Sequence, residues 1–520
     1  MPEPRESYST RQRWLITFTV MNGAIMGSLD ANIVNVALPY MKGALGASVE
    51  EIVWVSTGYI LSSVIVMPLI ATLSARFGRR RFYIFSVVIF TVASTLCGFA
   101  QDMATMVTLR VIQGIGGGAL IPLAQAILRE IFPPEGQAMA SGIYGLGVMF
   151  GPAIGPTLGG WLTDNYSWPW IFFIKWPLGV VATLLILRYI KDPPFLVREK
   201  GRLDFPGIAF LAVGLGALQV MLEEGQRKDW FASEFIVSLA TISCLGLILF
   251  VWRELKTEKP AVDLRILKDF NFASACLVNA VIGMALMGSL FLIPLFLQQL
   301  LHYPALDAGL ALLPRSIGMI LMMPVAGIVY NKVGPRLLNV AGILMLILSF
   351  YQLSSLSLDV GYWDIFFPQF IQGVGFGIAF VSLSTAAMAT FEKRLLVAAS
   401  GLYNVTRQVA GSIGIALAAT LLTRGENWNR ALLVENIHVF SDGAVDRLQA
   451  YSSLFFSRGA GEVDAMQSAL RALDELVMQQ ASMLSYNQCF FAAAALFVFT
   501  LPLIFLVKGF VRPAGSTTEE

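Results

Sequence analysis

Five charged residues are set inside apolar runs of this 520-residue chain away from the acids at run ends, and one of them is a carboxylate. Asp30 lies in "GSLDANIVNVALP" (27–39), Arg110 in "LRVIQGIGGGALIP" (109–122), Lys175 in "FFIKWPLG", Arg315 in "LLPRSIG" and Arg407 in "YNVTRQVAG". On a helix that starts at Trp14, Asp30 is roughly 24 Å along the axis. A charge placed there costs ~2.5–3.5 kcal/mol on insertion scales. A carboxylate held between burial and a nearby cation such as Arg110 can load and release a proton. A fixed ion pair and a helix-packing role are the alternatives.

Ser28, Asn32 and Asn35 add a polar stripe to the same run, and Asn32 lies about 200° around the helix from Asp30. Such a helix belongs beside water or protein partners rather than lipid. Arg110 begins only about five residues inside its run, so snorkelling to the interface is open to it, as it is to Lys175 and Arg315. If the four cations line a cavity with the single anion, the field there is positive. Anionic, weakly acidic or neutral amphipathic molecules would then be preferred over cationic dyes.

Other chemistries find no support. The two histidines, His302 and His438, fall in loops, so a histidine relay is not expected. Cys97, Cys244, Cys276 and Cys489 sit in separate apolar runs without CxxC spacing, which reads as core packing. No phosphate-loop motif occurs, and the Gly-x-Gly run at 114–118 does not follow a strand, so nucleotide binding is not expected. Neither a cofactor nor nucleic acid is called for, and no clustered His, Cys or carboxylate pair suggests an intramembrane enzyme.

The elements that must position these residues are membrane spans. The chain is 56% apolar and 13% charged, with mean hydropathy +0.69, far from the soluble average of about 25% charged. Apolar runs near 14–38, 52–73, 82–100, 105–128, 137–162, 170–187, 205–222, 231–252, 272–298, 305–330, 337–356, 365–390, 396–423 and 487–507 predict fourteen spans. The first is too long for a signal-peptide core and lacks a small-residue cleavage site, so it is expected to be retained. Most Lys and Arg fall on the side of the N-terminus, including Arg76, Arg79, Arg80, Arg81, Arg129, Lys332 and Arg336. The positive-inside rule therefore predicts both termini in the cytoplasm.

A long-range repeat divides the chain. "MPLIATLSARFGRR" (67–80) aligns with "MPVAGIVYNKVGPR" (323–336), "VIQGIGGG" (111–118) with "FIQGVGFG" (370–377), and "SGIYGLGVMFGPAIG" (141–155) with "SGLYNVTRQVAGSIG" (400–414). The order is kept at nearly one offset, which predicts two related six-helix halves, 1–190 and 263–520, separated by two inserted helices in 191–262. Two such bundles can rock about a site between them. The 424–486 segment is expected to be a long outer loop with an amphipathic helix on Val463, Met466, Leu470, Leu473 and Val477.

These motifs resemble the major facilitator superfamily, specifically its fourteen-helix drug:proton antiporter branch of the EmrB/QacA type, over about Trp14 to Val507. The resemblance implies an all-α integral membrane protein of the major facilitator fold, sited in the inner membrane and driven by the proton gradient. "LDANIVNVALP" is similar to the family's first-helix pattern, which gives Asp30 proton coupling together with Arg110 and Gln113 of the fourth-helix motif. "ATLSARFGRRR" resembles the family's gating loop, with Gly78, Arg79 and Arg80 in place. Ala71 and Ala75 replace its Gly and Asp, which puts an Asp-centred gate in question. "GVMFGPAIGPTLGG" resembles the antiporter signature, through Gly147, Gly151, Pro152, Gly155, Pro156, Gly159 and Gly160. Its glycines form a close-contact face and its prolines favour a bend.

Lys175 stands where the family commonly has Asn. Asn32, Asn35, Tyr144, Asn404 and Arg407 are the cavity candidates. EmrB-type relatives imply a periplasmic adaptor and an outer-membrane channel as partners, alongside the amphipathic substrate, protons and the lipid bilayer. A solute symporter or a metabolite pump on the same fold is the alternative, and the Gly-Pro string argues for export.

Overall fold

The computed structural model describes residues 8–193, 203–435, 437 and 442–506; Arg5, His438, Lys508 and Arg512 lie outside them. In a bilayer every backbone amide must be satisfied within its own segment, and among the described residues the chain is helical without strands. The first six long helices are α1 (Thr10–Ala44), α2 (Glu50–Phe77), α3 (Arg79–Cys97), α4 (Met103–Ile131), α5 (Gln137–Asn165) and α6 (Trp170–Tyr189). Two more follow, α7 (Phe205–Glu224) and α8 (Glu234–Lys256). The last six are α9 (Phe270–Leu300), α10 (Asp307–Val333), α11 (Pro335–Leu353), α12 (Tyr362–Met388), α13 (Leu396–Glu435) and α14 (Glu462–Phe505).

Among the described residues, thirteen of these, α2 to α14, are long and apolar enough to cross a membrane. The fourteenth, α1, is a 35-residue helix whose apolar character is diluted by the stripe containing Asp30. Its N-terminus is closed by a reciprocal pair in which Ser9 Oγ accepts from Gln12 N at 3.3 Å and Gln12 Oε1 accepts from Ser9 N at 3.1 Å. Asp102 caps α4 through Thr105 N at 2.8 Å, and Asp269 caps α9 through Phe272 N at 3.0 Å.

The repeat is visible in the backbone. Gly78 between α2 and α3 has φ 85°, and Gly334 between α10 and α11 has φ 87°, a region open to glycine at little strain. Space around Gly334 is free, with nothing within 4 Å of an added Cβ, so Gly334→Ala should cost only backbone strain. The expected loss is about 1–3 kcal/mol, read by thermal unfolding against Gly43→Ala, a free helical site expected to be neutral or slightly stabilising.

The hydrogen bonds between the first six and last six helices gather on the side where the basic loops lie. Arg129 Nη2 on α4 donates to Ser384 O on α12 at 2.7 Å. Ser400 Oγ on α13 donates to Pro122 O at 2.8 Å, and Asn404 Nδ2 donates to Gln125 Oε1 at 2.7 Å. Helices α5 and α10 cross at two glycines, where a Cβ on Gly142 would meet Met323 O at 2.8 Å and one on Gly327 would meet Ala138 O at 2.9 Å. This face is a closed seal.

Of the inserted pair, α7 packs against α2 and α13, and α8 packs on α7. Gln219 Nε2 on α7 donates to Ser412 Oγ on α13 at 3.0 Å and to Glu223 Oε1 at 2.7 Å, and Thr57 on α2 donates to the same carboxylate. The expectation of an outer loop over 424–486 is corrected. Helix α13 continues to Glu435 and α14 begins at Glu462, with a short helix, Asp442–Ser457, between them. Val463, Met466 and Leu470 are exposed, and the inward face of that stretch is Ala465, Ala469 and Val477, because two helices packed closely select the small residues.

Candidate functional site

Helix α1 carries Asp30 to full burial among α2, α4 and α6. Arg110 Nη1 donates to Asp30 Oδ2 at 2.7 Å, and Gln113 Nε2 donates to Asp30 Oδ1 at 2.9 Å. Lys175 Nζ is ion-paired with Asp30 Oδ1. Arg110 also donates through Nη1 to Gln113 Oε1 at 2.7 Å and through Nε to Val55 O at 2.7 Å. Its guanidinium lies 4.6 Å from the Tyr59 ring centroid, a favourable cation–π placement. Arg110 and Lys175 are 1% and 0% exposed, so neither snorkels: each finds a better partner in Asp30 than in the interface.

Lys175 lies where the hydrogen-bond ladder of α6 is interrupted. Pro177 has no N–H to give the Phe173 carbonyl, and the chain turns at Ile174, directly before Lys175 starts the second part of α6. Asn32 and Asn35 turn away from the cluster. Asn32 Nδ2 donates to Ser28 O at 2.8 Å, and Asn35 Oδ1 accepts from Ser56 on α2 at 2.9 Å.

The Gly-Pro string of α5 forms the surface against which α1 is held. Added Cβ atoms on Gly147 and Gly151 would run into Met21 and Ser28, while on Gly155 and Gly159 they would lie 3.0 Å from Asn32 Cβ and 2.8 Å from Ile33 O; Gly160 is looser, 3.8 Å from Val36. Pro152 frees the carbonyl of Val148 four residues earlier, and Ser28 Oγ donates to it. The α5 helix runs unbroken from Gln137 to Asn165 through both prolines, Pro152 and Pro156. The proline therefore serves as an acceptor for α1, two residues before Asp30.

The loop residues form a separate cluster on the basic side. Arg79 is ion-paired with Glu130 at the end of α4, Arg80 N donates to Asp192 Oδ1 at 2.8 Å, and Arg80 also reaches Leu187 O. The carboxylate that Ala75 cannot supply comes from α4 instead. Asp30 is not alone as a buried acid among the described residues: at helix ends Asp204 and Glu254 are buried and Glu130 and Glu223 half-buried. Each lies at or just past the edge of an apolar run, where composition alone assigns it to solvent.

Tyr144 and Asn404 meet across the two halves, Tyr144 Oη donating to Asn404 Oδ1 at 2.9 Å. One turn further along α13, Arg407 is half-buried, with its guanidinium 5.2 Å from the Phe380 ring centroid. Its Nη2 donates to Asn404 Oδ1 at 3.1 Å, and its buried Nη1 has no partner. Gln125, Ser400 and Arg129 complete this interface and were not singled out from sequence. Gln125 in "IPLAQAIL" was the available signal, and Arg129 read as a loop cation because α4 outlasts its apolar run by one turn.

The last six helices hold a counterpart of the Asp30 cluster without a carboxylate. Gln372, which the repeat aligns with Gln113, accepts from Arg315 Nη1 at 3.4 Å, and Ser289 Oγ accepts from the same nitrogen at 3.2 Å. Arg315 is buried and does not snorkel either.

A family model described as Major Facilitator Superfamily matches residues 20–415. The chain belongs to that superfamily. Among superfamily relatives, it is 32% identical over 495 residues to the "Multidrug export protein EmrB" of Escherichia coli K12, covering 95% of each chain. It is also 32% identical over 497 residues to the "Fatty acid resistance protein FarB" of Neisseria gonorrhoeae, covering 95% of this chain and 96% of that one. The fold resembles that of the human organic anion transporter MFSD10, with a TM-score of 0.62 at 13% identity over 95% of this chain and 99% of that chain. The chain is thus an all-helical, multi-pass membrane protein of the major facilitator fold.

Proposed function

We propose that this superfamily member is a proton-coupled exporter of small amphipathic molecules, working by alternating access between residues 1–190 and 263–520 with 191–262 as an inserted pair. The observation that carries the reading is a buried carboxylate hydrogen-bonded to two cations, in a two-bundle fold sealed on its basic side. By the positive-inside rule that side, and with it both termini, is cytoplasmic, and in our reading the membrane is the inner one and the sealed state is closed toward the cytoplasm. EmrB, named for multidrug export, and FarB, named for fatty acid resistance, support the substrate class. Proton movement supplies the energy without a cofactor. The projecting ends of α13 and α14 are suited to meet a periplasmic adaptor that leads to an outer-membrane channel.

The chemistry follows from the groups present. Protons reach the Asp30 cluster when the cavity faces outside and leave it when the cavity faces the cytoplasm, where substrate binds in exchange. Arg407 is half-buried where the two halves meet, with its guanidinium on Asn404 and over the Phe380 ring, so it is the group we assign to the acidic head of a substrate. Inverted vesicles energised with a proton gradient should accumulate decanoate and chloramphenicol better than tetraphenylphosphonium. Absence of gradient-driven accumulation of every probe would defeat the reading.

Arg407→Gln gives a sharper expectation. Loss of a charge-assisted hydrogen bond of about 1.5–3 kcal/mol should weaken decanoate binding about 10- to 150-fold. Chloramphenicol binding should be little changed. Calorimetry on purified protein checks both, and an equal loss for the two probes would mean that Arg407 only supports the fold.

A further inference from the structure

The charges of the Asp30 cluster do not balance, and the imbalance identifies which group exchanges the proton. Asp30 from α1 meets Arg110 of α4 and Lys175 of α6, and the other titratable groups facing them are Tyr59 of α2 and Cys97 of α3. Tyr59 Oη donates to Gly27 O at 3.4 Å, and Cys97 Sγ donates to Gln113 Oε1 at 3.8 Å. Phe172 closes the shell, its ring centroid 5.0 Å from Lys175 Nζ.

Each candidate can be tested by counting charge. With Lys175 as an ammonium the buried set carries one net positive charge. With Lys175 as an amine it is neutral, a carboxylate paired with a guanidinium. With Asp30 as an acid it carries two positive charges and no anion, the arrangement that burial penalises most. Arg110 does not deprotonate in proteins. A Tyr59 phenolate would face the Gly27 carbonyl, and a Cys97 thiolate would face Gln113 Oε1, so each would meet an oxygen rather than a donor.

We propose that the proton exchanged in transport is carried on Nζ of Lys175, while Asp30 stays a carboxylate that holds Arg110 and orients the amine. In the step, one N–H bond of the ammonium breaks. Its electron pair stays on nitrogen and the proton passes to water admitted on the cytoplasmic side; reprotonation from the outer side restores the ammonium. This deepens the transport reading above and rests on it.

The test is proton release in weakly buffered solution when decanoate is added to the purified full-length protein. Wild type should release protons on binding. Lys175→Arg, a fixed cation, and Lys175→Met, a fixed neutral group, should bind decanoate and release none. Proton release retained in Lys175→Arg would overturn the assignment to Lys175 and leave the transport reading intact. Failure of wild type both to release protons and to transport under a gradient would instead defeat the transport reading. Infrared difference spectra across pH give a readout that needs no variant to fold. No carboxylic-acid C=O band from Asp30 should appear in wild type on acidification through the range where release occurs, and a band absent from Asp30→Asn would overturn the proposal.

Discussion

Asp30→Asn should abolish gradient-driven transport and destabilise the protein by about 3–5 kcal/mol, the cost of removing one partner from a buried ion pair. The loss comes from the groups left behind. Arg110 and Lys175 approach the same carboxylate from α4 and α6, and without its charge two buried cations face each other with only neutral acceptors, the Asn amide oxygen, Gln113 and Val55 O. The single change Lys175→Asn leaves Asp30 and Arg110 as a neutral pair and should cost far less. Combining the two changes leaves one unpaired cation in place of two, so the double variant should recover part of what Asp30→Asn loses.

Thermal unfolding of the four proteins in mildly acidic buffer measures that order. Contacting residues of this kind are expected to be non-additive. Strict additivity of the two losses would mean that Asp30 and Lys175 do not share an ion pair in solution.

How much of this was legible beforehand depends on range. Asp30, Arg110 and Gln113 could be picked from sequence because a charge or amide inside an apolar run is expensive wherever the helix lies. Their meeting could not be, because helix rotation and crossing are set by packing, and the glycines of α5 that seat α1 specify closeness rather than register. Lys175 was visible only as a departure from a family pattern near a span end. It is buried against Asp30, and no periodicity argument predicts that pairing.

Thirteen of the fourteen expected spans stand out by length and hydropathy among the described residues, α1 being diluted by its polar stripe, and the continuation of α13 and α14 as helices past their apolar runs was not legible. Outside the bilayer a helix needs no apolar run, and alanines at 465 and 469 pack as well as the leucines expected to do so. Gly78 and Gly334 were legible as a repeated turn because positive φ selects glycine almost alone. Gln125, Ser400 and Asn404 are ordinary polar residues, and only the pairing of two halves makes them a seal.

That seal can be wedged. Gly142 on α5 and Gly327 on α10 face backbone, and backbone cannot move aside as a flexible side chain can. A Cβ at Gly142 would lie 2.8 Å from Met323 O and 3.3 Å from Met323 C, and one at Gly327 would lie 2.9 Å from Ala138 O and 3.1 Å from Met139 Cα. Gly142→Leu should therefore part the helices on the basic side while leaving each bundle folded, since the contact lies between bundles rather than within one. Overpacking of about 1–3 kcal/mol is felt by the sealed state alone, so it shifts the equilibrium between the two states about 5- to 150-fold toward the state open on the basic side.

Transport should fall steeply, because a carrier that cannot close one gate cannot complete its cycle. In a background whose four cysteines are replaced, a probe cysteine at Ser400, fully buried in the seal, should react slowly with an impermeant thiol reagent applied from the basic side. Adding Gly142→Leu should raise that rate by the same factor as the shift in population, and Gly327→Leu should do likewise from the other helix. Unchanged labelling with transport intact would mean that the α5–α10 crossing is a fixed contact and that the two bundles move about another surface, of which the Gln125–Asn404 contact between α4 and α13 is the next in line.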